Sequence, residues 1–201
     1  MRLRRAGASA LLIECGDGDE VEAWRREVSN RRDAGDLRVI DIVPGARTLL
    51  LDGVEPGTDT LIASWPPPAR PTPEHREASL VEIPTVFDGD DLADVAELWS
   101  TSSDGVVARL VETNFTVAFC GFAPGFAYMR GHELTVPRLD APRPRVPAGA
   151  VGLAGEYCGI YPTASPGGWR LVGHTTTSLF DVRREPPALL APGTRVRLVA
   201  A

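Results

Sequence analysis

Three segments in the second half of the chain carry residue types that can bind or transform a small molecule. The first is Gly121–Tyr128, written GFAPGFAY, which follows an apolar run typical of a strand. Glycine permits positive φ angles and a close backbone approach to a ligand, and loops held by a rigid sheet often carry binding residues. Phe126 and Tyr128 are therefore candidate ligand contacts. The alternative is a turn whose aromatic side chains only anchor it in the core.

The second segment runs from Pro137 to Gly149 and contains four prolines and three arginines. Proline stiffens the backbone, and a guanidinium can bind a carboxylate or phosphate through two parallel hydrogen bonds. Arg138, Arg143 and Arg145 are therefore candidate anchors for an anionic substrate. A solvated cationic loop without a ligand is the alternative.

The third segment covers residues 159–176 and contains a Pro-Gly-Gly turn directly before Trp169. Tyr161, Trp169 and Thr175 are candidate substrate contacts, since each combines an exposed-looking loop position with a polar or aromatic group. Glycines at the loop positions of all three segments would let a substrate approach the backbone; these are Gly125, Gly149 and Gly168.

His174 ends the strand that Trp169 begins, and we assign it the acid–base role. Imidazole exchanges a proton near neutral pH, which general acid–base catalysis requires; a purely structural histidine is the alternative. The remaining histidines, His75 and His132, do not form a pair at metal-ligand spacing with each other or with His174. The three cysteines are scattered without a CxxC pair, so we expect neither a metal site nor a disulfide framework.

Lysine is absent, and all 21 basic residues are arginines. The composition therefore excludes Schiff-base catalysis by lysine, a phosphate-binding P-loop and the attachment of biotin to this chain. The net charge of −6 argues against nucleic-acid binding. No apolar stretch reaches the roughly 20 residues of a membrane-spanning helix, and the apolar run after the N-terminal arginines lacks a small-residue cleavage site, so we expect a cytoplasmic protein.

The elements that must position these segments divide the chain into two parts. Residues 1–65 alternate in a β-β-α-β-β-α order typical of a small α/β domain. Residues 66–78 are rich in proline and indicate a linker. In residues 79–201 a strand at Leu80–Val86 precedes two helices, which we expect Asp90 and either Ser102 or Ser103 to cap. Short apolar runs between Gly/Pro clusters then predict a β-barrel or sandwich.

At the three segments the chain resembles the subunit-1 family of carboxyltransferase-type proteins. This family includes allophanate hydrolase subunit 1, the B subunit of 5-oxoprolinase and Kip-type inhibitors of a sporulation kinase. The resemblance rests on the order and spacing of these residues across about 80 positions: Gly121–Met129, Val146–Gly149 with Val151, Gly159–Pro162, Ser165–Trp169, Gly173, Thr175, Leu179–Asp181, Pro192–Gly193 and Val196–Arg197.

The resemblance implies an α+β chain in which a cyclophilin-like β-barrel follows the small N-terminal domain, without prolyl isomerase activity. It also implies a subunit of an ATP-dependent enzyme that opens 5-oxoproline to glutamate. The implied partners are a subunit-2 or C-type protein, which resembles a second barrel, and an A-type subunit of 5-oxoprolinase. An ATP site is not evident in this chain.

Two other functions stay open within the family. One is a regulatory module that inhibits a sensor histidine kinase, and the other is a carboxyltransferase or allophanate hydrolase subunit in urea metabolism. Four positions depart from residues common in the family: Leu110 stands for His, Ala150 for Ser, Cys158 for Thr and His174 for Arg. These departures alter the chemistry if they line the site, and only the packing if they do not.

Overall fold

A computed structural model describes residues 1–70 and 80–201. The chain separates into two compact units, Met1–Glu77 and Ala78–Ala201. Of the predicted linker, residues 66–70 carry neither helix nor strand, and residues 71–78 lie outside the described residues. Each unit combines helices with a largely antiparallel sheet, so the expectation of an α+β chain is confirmed.

The first unit packs two helices with one four-stranded sheet. Its elements are β1 (Arg2–Arg5), β2 (Ala10–Glu14), α1 (Gly18–Asp33), β3 (Asp41–Pro44), β4 (Thr48–Asp52) and α2 (Thr58–Ala63). The strand order is β1-β2-β4-β3, with every pair antiparallel. Asp17 caps α1, because its carboxylate accepts from the backbone N–H of Glu20 at 2.8 Å; the sequence also made Asp19 a plausible cap. Trp24 and Val28 of this helix are buried in the core of the unit.

The second unit contains two helices and nine strands among its described residues. They are β5 (Leu80–Thr85), α3 (Leu92–Leu98), α4 (Ser103–Glu112), β6 (Phe115–Cys120), β7 (Ala127–Arg130), β8 (Arg143–Val146), β9 (Ala150–Ala154), β10 (Tyr157–Ile160), β11 (Ser165–Gly167), β12 (Arg170–His174) and β13 (Arg195–Ala200). Seven strands form one sheet in the order β12-β9-β10-β7-β6-β13-β5, and β8 and β11 form a separate pair. Only β5 and β13 run parallel among the described pairs.

The ends of the seven-stranded sheet meet, so it closes into a barrel. Just beyond β5, Val86 exchanges two backbone hydrogen bonds with His174 of β12, at 2.9 and 2.8 Å. Two glycines make this closure possible. A Cβ on Gly89 would overlap the carbonyl oxygen of Leu171, and a Cβ on Gly173 would overlap that of Val86. Any side chain at either position would hold the two edges apart.

Alternation along the strands gives the barrel wall two apolar faces. On β9, Val151 and Leu153 belong to the large inner cluster, whereas Ala150 and Ala154 belong to a second cluster on the opposite face. Successive side chains of a strand point to opposite sides of a sheet. The second cluster therefore lies on the outer surface of the barrel wall and includes Val146 of β8.

The helix starts of this unit refine the sequence prediction. Asp91, not Asp90, occupies the N-cap position of α3, and its side chain makes no capping hydrogen bond. Its carboxylate instead bonds across to β8 and β12, which removes it from the helix end. Ser102 caps α4 by accepting from the backbone N–H of Gly105 at 3.1 Å.

Candidate functional site

An aromatic pocket opens on the outer face of the barrel wall. Its volume is about 110 Å³. The lining comes from the loop before β7, the segment before β8, the end of β10 and the turn that joins β11 to β12: Phe122, Phe126, Tyr128, Arg138, Tyr161, Pro166, Gly167, Gly168 and Trp169. All three segments that the sequence singled out therefore meet at one place.

Phe126 is the centre of this pocket. Its ring lies edge-on to those of Tyr161 and Trp169, with centroids 5.4 Å away in both cases, and 5.0 Å from Tyr128. Edge-to-face aromatic contacts at such distances add stability beyond the area that they bury. Gly159 supports this packing from β10, since a Cβ there would lie 2.8 Å from the Trp169 ring and 2.9 Å from the Phe126 ring. These four rings form the aromatic wall of the pocket, and their close packing makes it rigid.

Phe122 lies at the mouth of the pocket and was not among the residues selected from the sequence. Its φ angle is +71°, which is unfavourable for a bulky side chain, and 63% of its surface is exposed. Its ring centroid lies 5.4 Å from Phe126 and 6.4 Å from Tyr161. Backbone strain of this kind concentrates at functional sites. The available signal was a large aromatic residue placed directly after Gly121 in a tight turn.

Arg138 is the cation of the pocket. It is exposed and has no carboxylate partner among the described residues. Burial raises the pKa values of Tyr128 and Tyr161, and the positive charge of Arg138 partly opposes both shifts. The backbone N–H of Leu139 donates to the carbonyl oxygen of Gly168 at 2.8 Å, which holds the arginine segment against the pocket. The site thus combines apolar ring faces, two protonated phenols and one uncompensated positive charge.

Arg143 pairs with a carboxylate of its own chain and does not line the pocket. Its Nη2 donates to the Oδ1 of Asp91 at 2.7 Å, and this hydrogen bond raises the arginine pKa. Asp91 is buried, whereas the side chain of Arg143 is partly exposed. Arg145 is exposed on β8 and does not line the pocket. Of the three candidate arginines, only Arg138 faces the aromatic rings.

Thr175 and two of the predicted loop glycines support loops rather than line the pocket. Thr175 is buried, and its hydroxyl donates to that of Thr177 at 3.0 Å. A Cβ on Gly149, whose φ is +83°, would overlap the carbonyl oxygen of Thr175. Gly125, also at +83°, packs closely against Phe180. Of the three predicted glycines, Gly168 alone lines the pocket.

His174 lies at the seam of the barrel and not in the pocket. It lies five positions after Trp169, at the far end of β12. Its exposed ring places Nδ1 2.8 Å from the Oδ1 of Asp88. His174 does not line the aromatic pocket, and its acid–base role stays a prediction.

Three of the four departures from the family pattern are buried apolar positions. Leu110 and Cys158 lie in the inner cluster of the barrel, and burial raises the pKa of the Cys158 thiol to about 12. Ala150 packs in the outer cluster beneath the aromatic wall. None of the three lines the pocket. Among the described residues, no group of three His, Cys, Asp or Glu side chains is placed to hold a metal ion.

The match to known proteins extends over nearly the whole chain. The family model described as "Carboxyltransferase domain, subdomain C and D" matches residues 1–190. The chain belongs to this carboxyltransferase family. The resemblance inferred from the sequence is thereby confirmed.

Curated relatives in this family include three proteins named as the B subunit of 5-oxoprolinase. The one from Escherichia coli O157:H7 is 40% identical over 176 residues, which cover 80% of this chain and 78% of the relative. The one from Haemophilus influenzae is 41% identical over 59% of this chain and 58% of its own. The one from Bacillus subtilis is 40% identical over 60% of this chain and 52% of its own.

Solved structures of similar fold include both free-standing and longer chains. TTHA0988 matches all of this chain with a TM-score of 0.77 and 33% identity, yet this chain spans only 40% of its length. The uncharacterized protein PH0987 from Pyrococcus horikoshii matches with a TM-score of 0.60 and 30% identity, and 97% of its chain is covered. Urea amidolyase from Kluyveromyces lactis shares the fold at 20% identity and a TM-score of 0.71. In the described part of this chain, no helix is long and apolar enough to cross a membrane.

Proposed function

We propose that this chain is the B subunit of a multi-subunit, ATP-dependent 5-oxoprolinase. The observation that carries the proposal is the identity of about 40% to relatives named as the B subunit of that enzyme, over most of the chain in the protein from Escherichia coli. The reaction opens the lactam of 5-oxoproline to give glutamate. Such a subunit acts with others, so the proposal includes a C-type partner and an A-type subunit.

The chemistry of the aromatic pocket suits a small cyclic amide that carries one carboxylate. Its volume of about 110 Å³ is well below the roughly 300–1,000 Å³ typical of sites for drug-sized ligands. Phe126 and Trp169 offer apolar ring surfaces to the lactam ring, and Arg138 offers a charge-assisted hydrogen bond to the carboxylate. Tyr128 and Tyr161 have raised pKa values and stay protonated at neutral pH. Their hydroxyls can donate to a lactam carbonyl and make its carbon more electrophilic.

The same pocket does not fit a nucleoside triphosphate. It is too small for one, it presents a single arginine, and the chain contains no lysine. A triphosphate site requires several cations or a run of backbone N–H groups at a Gly-rich turn. Within this proposal, the ATP that the enzyme consumes is bound by another subunit, and this chain holds and polarises the lactam.

The two alternative functions have no observation in their favour here. The structures of the urea enzymes share the fold at about 20% identity, which carries no argument about the substrate. Inhibition of a histidine kinase would require a binding surface but no intact pocket. The ordered aromatic wall and the unpaired Arg138 are more consistent with a small-molecule site.

The test is reconstitution of the enzyme from its three components. We expect ATP hydrolysis that depends on 5-oxoproline only when this chain is added to the A-type and C-type subunits. We also expect this chain and the C-type subunit to co-elute on size exclusion at micromolar concentration. Full activity without this chain, with the other subunits folded, would refute the proposal. Binding to a sensor kinase would then be measured as the next alternative.

A further inference from the structure

An ion pair between buried Asp91 and partly exposed Arg143 lies next to Trp169 of the pocket. Asp91 is only 5% exposed. Its Oδ1 accepts from Arg143 at 2.7 Å, and its Oδ2 accepts from the backbone N–H of Leu171 at 2.6 Å. Its own backbone N–H donates to the carbonyl oxygen of Leu171 at 2.9 Å. Both carboxylate oxygens are therefore engaged, and the negative charge is fixed beside Leu171, two residues along the strand from Trp169.

Arg143 is close enough to the pocket to act as a second cation if it were released. Its Nη1 lies 3.4 Å from the carbonyl oxygen of Trp169, and its charge acts on the phenol of Tyr161. Across the β8–β11 pair it lies opposite Gly167, another residue of the lining. The carboxylate of Asp91 cancels this charge at short range.

Arg138 is consequently the one cation of the lining, and no carboxylate among the described residues neutralises it. Because Asp91 neutralises Arg143, Arg138 alone supplies an uncompensated positive charge to the pocket. A single fixed charge in a partly desolvated site favours an anion of matching charge.

We propose that Asp91 sets the anion selectivity of the pocket: by neutralising Arg143 it makes the site prefer a monocarboxylate over a dicarboxylate. This inference rests on the proposed function, because 5-oxoproline carries one carboxylate, whereas ring opening creates a second carboxylate together with an ammonium group. Asp91 acts through Arg143 and is a specificity-determining residue without contact to the ligand.

The experiment compares two probes on the full chain by calorimetry: 5-oxoproline, with one carboxylate, and glutarate, with two. In D91N the remaining side-chain oxygen can still accept from Leu171, while Arg143 becomes uncompensated. We expect the affinity for glutarate to rise roughly three- to tenfold relative to that for 5-oxoproline, because a nearby positive charge attracts the second carboxylate. In R143Q the buried carboxylate of Asp91 is left alone, and we expect the opposite change in the ratio.

The double variant D91N/R143Q restores neutrality, so its affinity ratio should return close to that of the wild type. D94N is the matched control: Asp94 lies on the same helix and pairs with Arg170, but it is 57% exposed and Arg170 does not line the pocket. Its ratio should stay unchanged.

If the ratio of the affinities for glutarate and 5-oxoproline is unchanged in both D91N and R143Q, the proposal is wrong. An equal loss of both affinities in D91N, R143Q and the double variant would also overturn it, because a purely structural role predicts that result. Absence of binding of either probe to the wild type would overturn it as well. If the reconstituted enzyme lacks 5-oxoprolinase activity while the charge-dependent ratios are observed, the proposed function fails and the inference about selectivity stands.

Discussion

The Oδ1 of Asp88 lies 2.8 Å from the Nδ1 of His174, at the seam where the barrel closes. Both side chains are about half exposed, and a polar side-chain contact in such a position contributes little to stability. The backbone of His174, in contrast, makes two hydrogen bonds with Val86. The role of this position in the fold is therefore carried by its main chain, and its side chain is free to vary.

The first prediction follows from this relationship. We expect H174Q to leave kcat for 5-oxoproline within about twofold of the wild type in the assembled enzyme, because His174 does not line the aromatic pocket. The measurement is the pH profile of kcat. D88N serves as the matched control, since it breaks the same contact from the other side. Loss of one limb of the profile in H174Q would restore the acid–base role and place the reaction at the seam.

The second prediction concerns Arg138 as the carboxylate anchor. R138Q should raise the KM for 5-oxoproline by roughly tenfold to a hundredfold, because a hydrogen bond to a charged group contributes about 1.5–3 kcal/mol. The effect on kcat should be small if the carboxylate is bound equally in the ground and transition states.

R145Q is the control for this prediction, since Arg145 is a nearby exposed arginine outside the pocket. Its KM should equal that of the wild type. A larger effect of R145Q than of R138Q would mean that the substrate binds elsewhere.

The third prediction tests the packing beneath the aromatic wall. G159A places a methyl group 2.8 Å from the Trp169 ring and 2.9 Å from the Phe126 ring. Overpacking of this kind costs about 1–3 kcal/mol, so we expect the Tm to fall by several degrees. G121A is the control, because a Cβ there meets nothing within 4 Å. Equal Tm values for the two variants in differential scanning calorimetry would contradict the rigid wall.

The fourth prediction concerns the pH dependence of stability. Burial lowers the pKa of His132, although its contact with the carbonyl of Leu134 and the charge of Glu156 oppose the shift. The unfolded chain titrates near pH 6.5, so on acidification it takes up a proton that the folded state resists. The contribution of His132 to the free energy of unfolding is therefore fully present above pH 6.5. It is lost as the pH falls through the pKa of the unfolded chain towards the lower pKa of the folded state.

Urea unfolding at pH 7.5 and pH 5.5 measures this loss. We expect the midpoint of the wild type to decrease between the two values, and H132Q to lack most of that decrease. H174Q, which removes an exposed histidine instead, should keep it. The same pH dependence in all three proteins would assign the loss to other groups.

Local patterns in the sequence account for much of the fold. The order of strands and helices in the first unit follows from alternation and helical periodicity, and the caps expected for the two helices of the second unit lie at or within one residue of the N-cap positions of α3 and α4. The displaced N-caps have a local cause: neighbouring acids, such as Asp90 and Asp91, are equivalent as sequence signals. Their roles separate only when one of them finds a partner elsewhere.

Some residues of the candidate site could likewise be identified from local sequence patterns, and others could not. Phe126, Tyr128, Tyr161 and Trp169 were identifiable because large aromatics beside glycine turns are a local signal. The roles of the arginines were not, because Arg143 pairs with a residue 52 positions earlier in the chain. No local pattern distinguishes a guanidinium that meets a buried carboxylate from one that faces a pocket.

The sequence by itself therefore determined the family, the α+β class, and the three segments that meet at the pocket. The tertiary structure decided the rest: that the pocket lies on the outer wall of the barrel, that Asp91 withdraws Arg143 from it, and that His174 closes the seam instead. The physical reason is that periodicity and turn chemistry act between near neighbours in the chain. Barrel closure and charge pairing depend on contacts across roughly 50 to 90 residues, which exist only once the strands are in register.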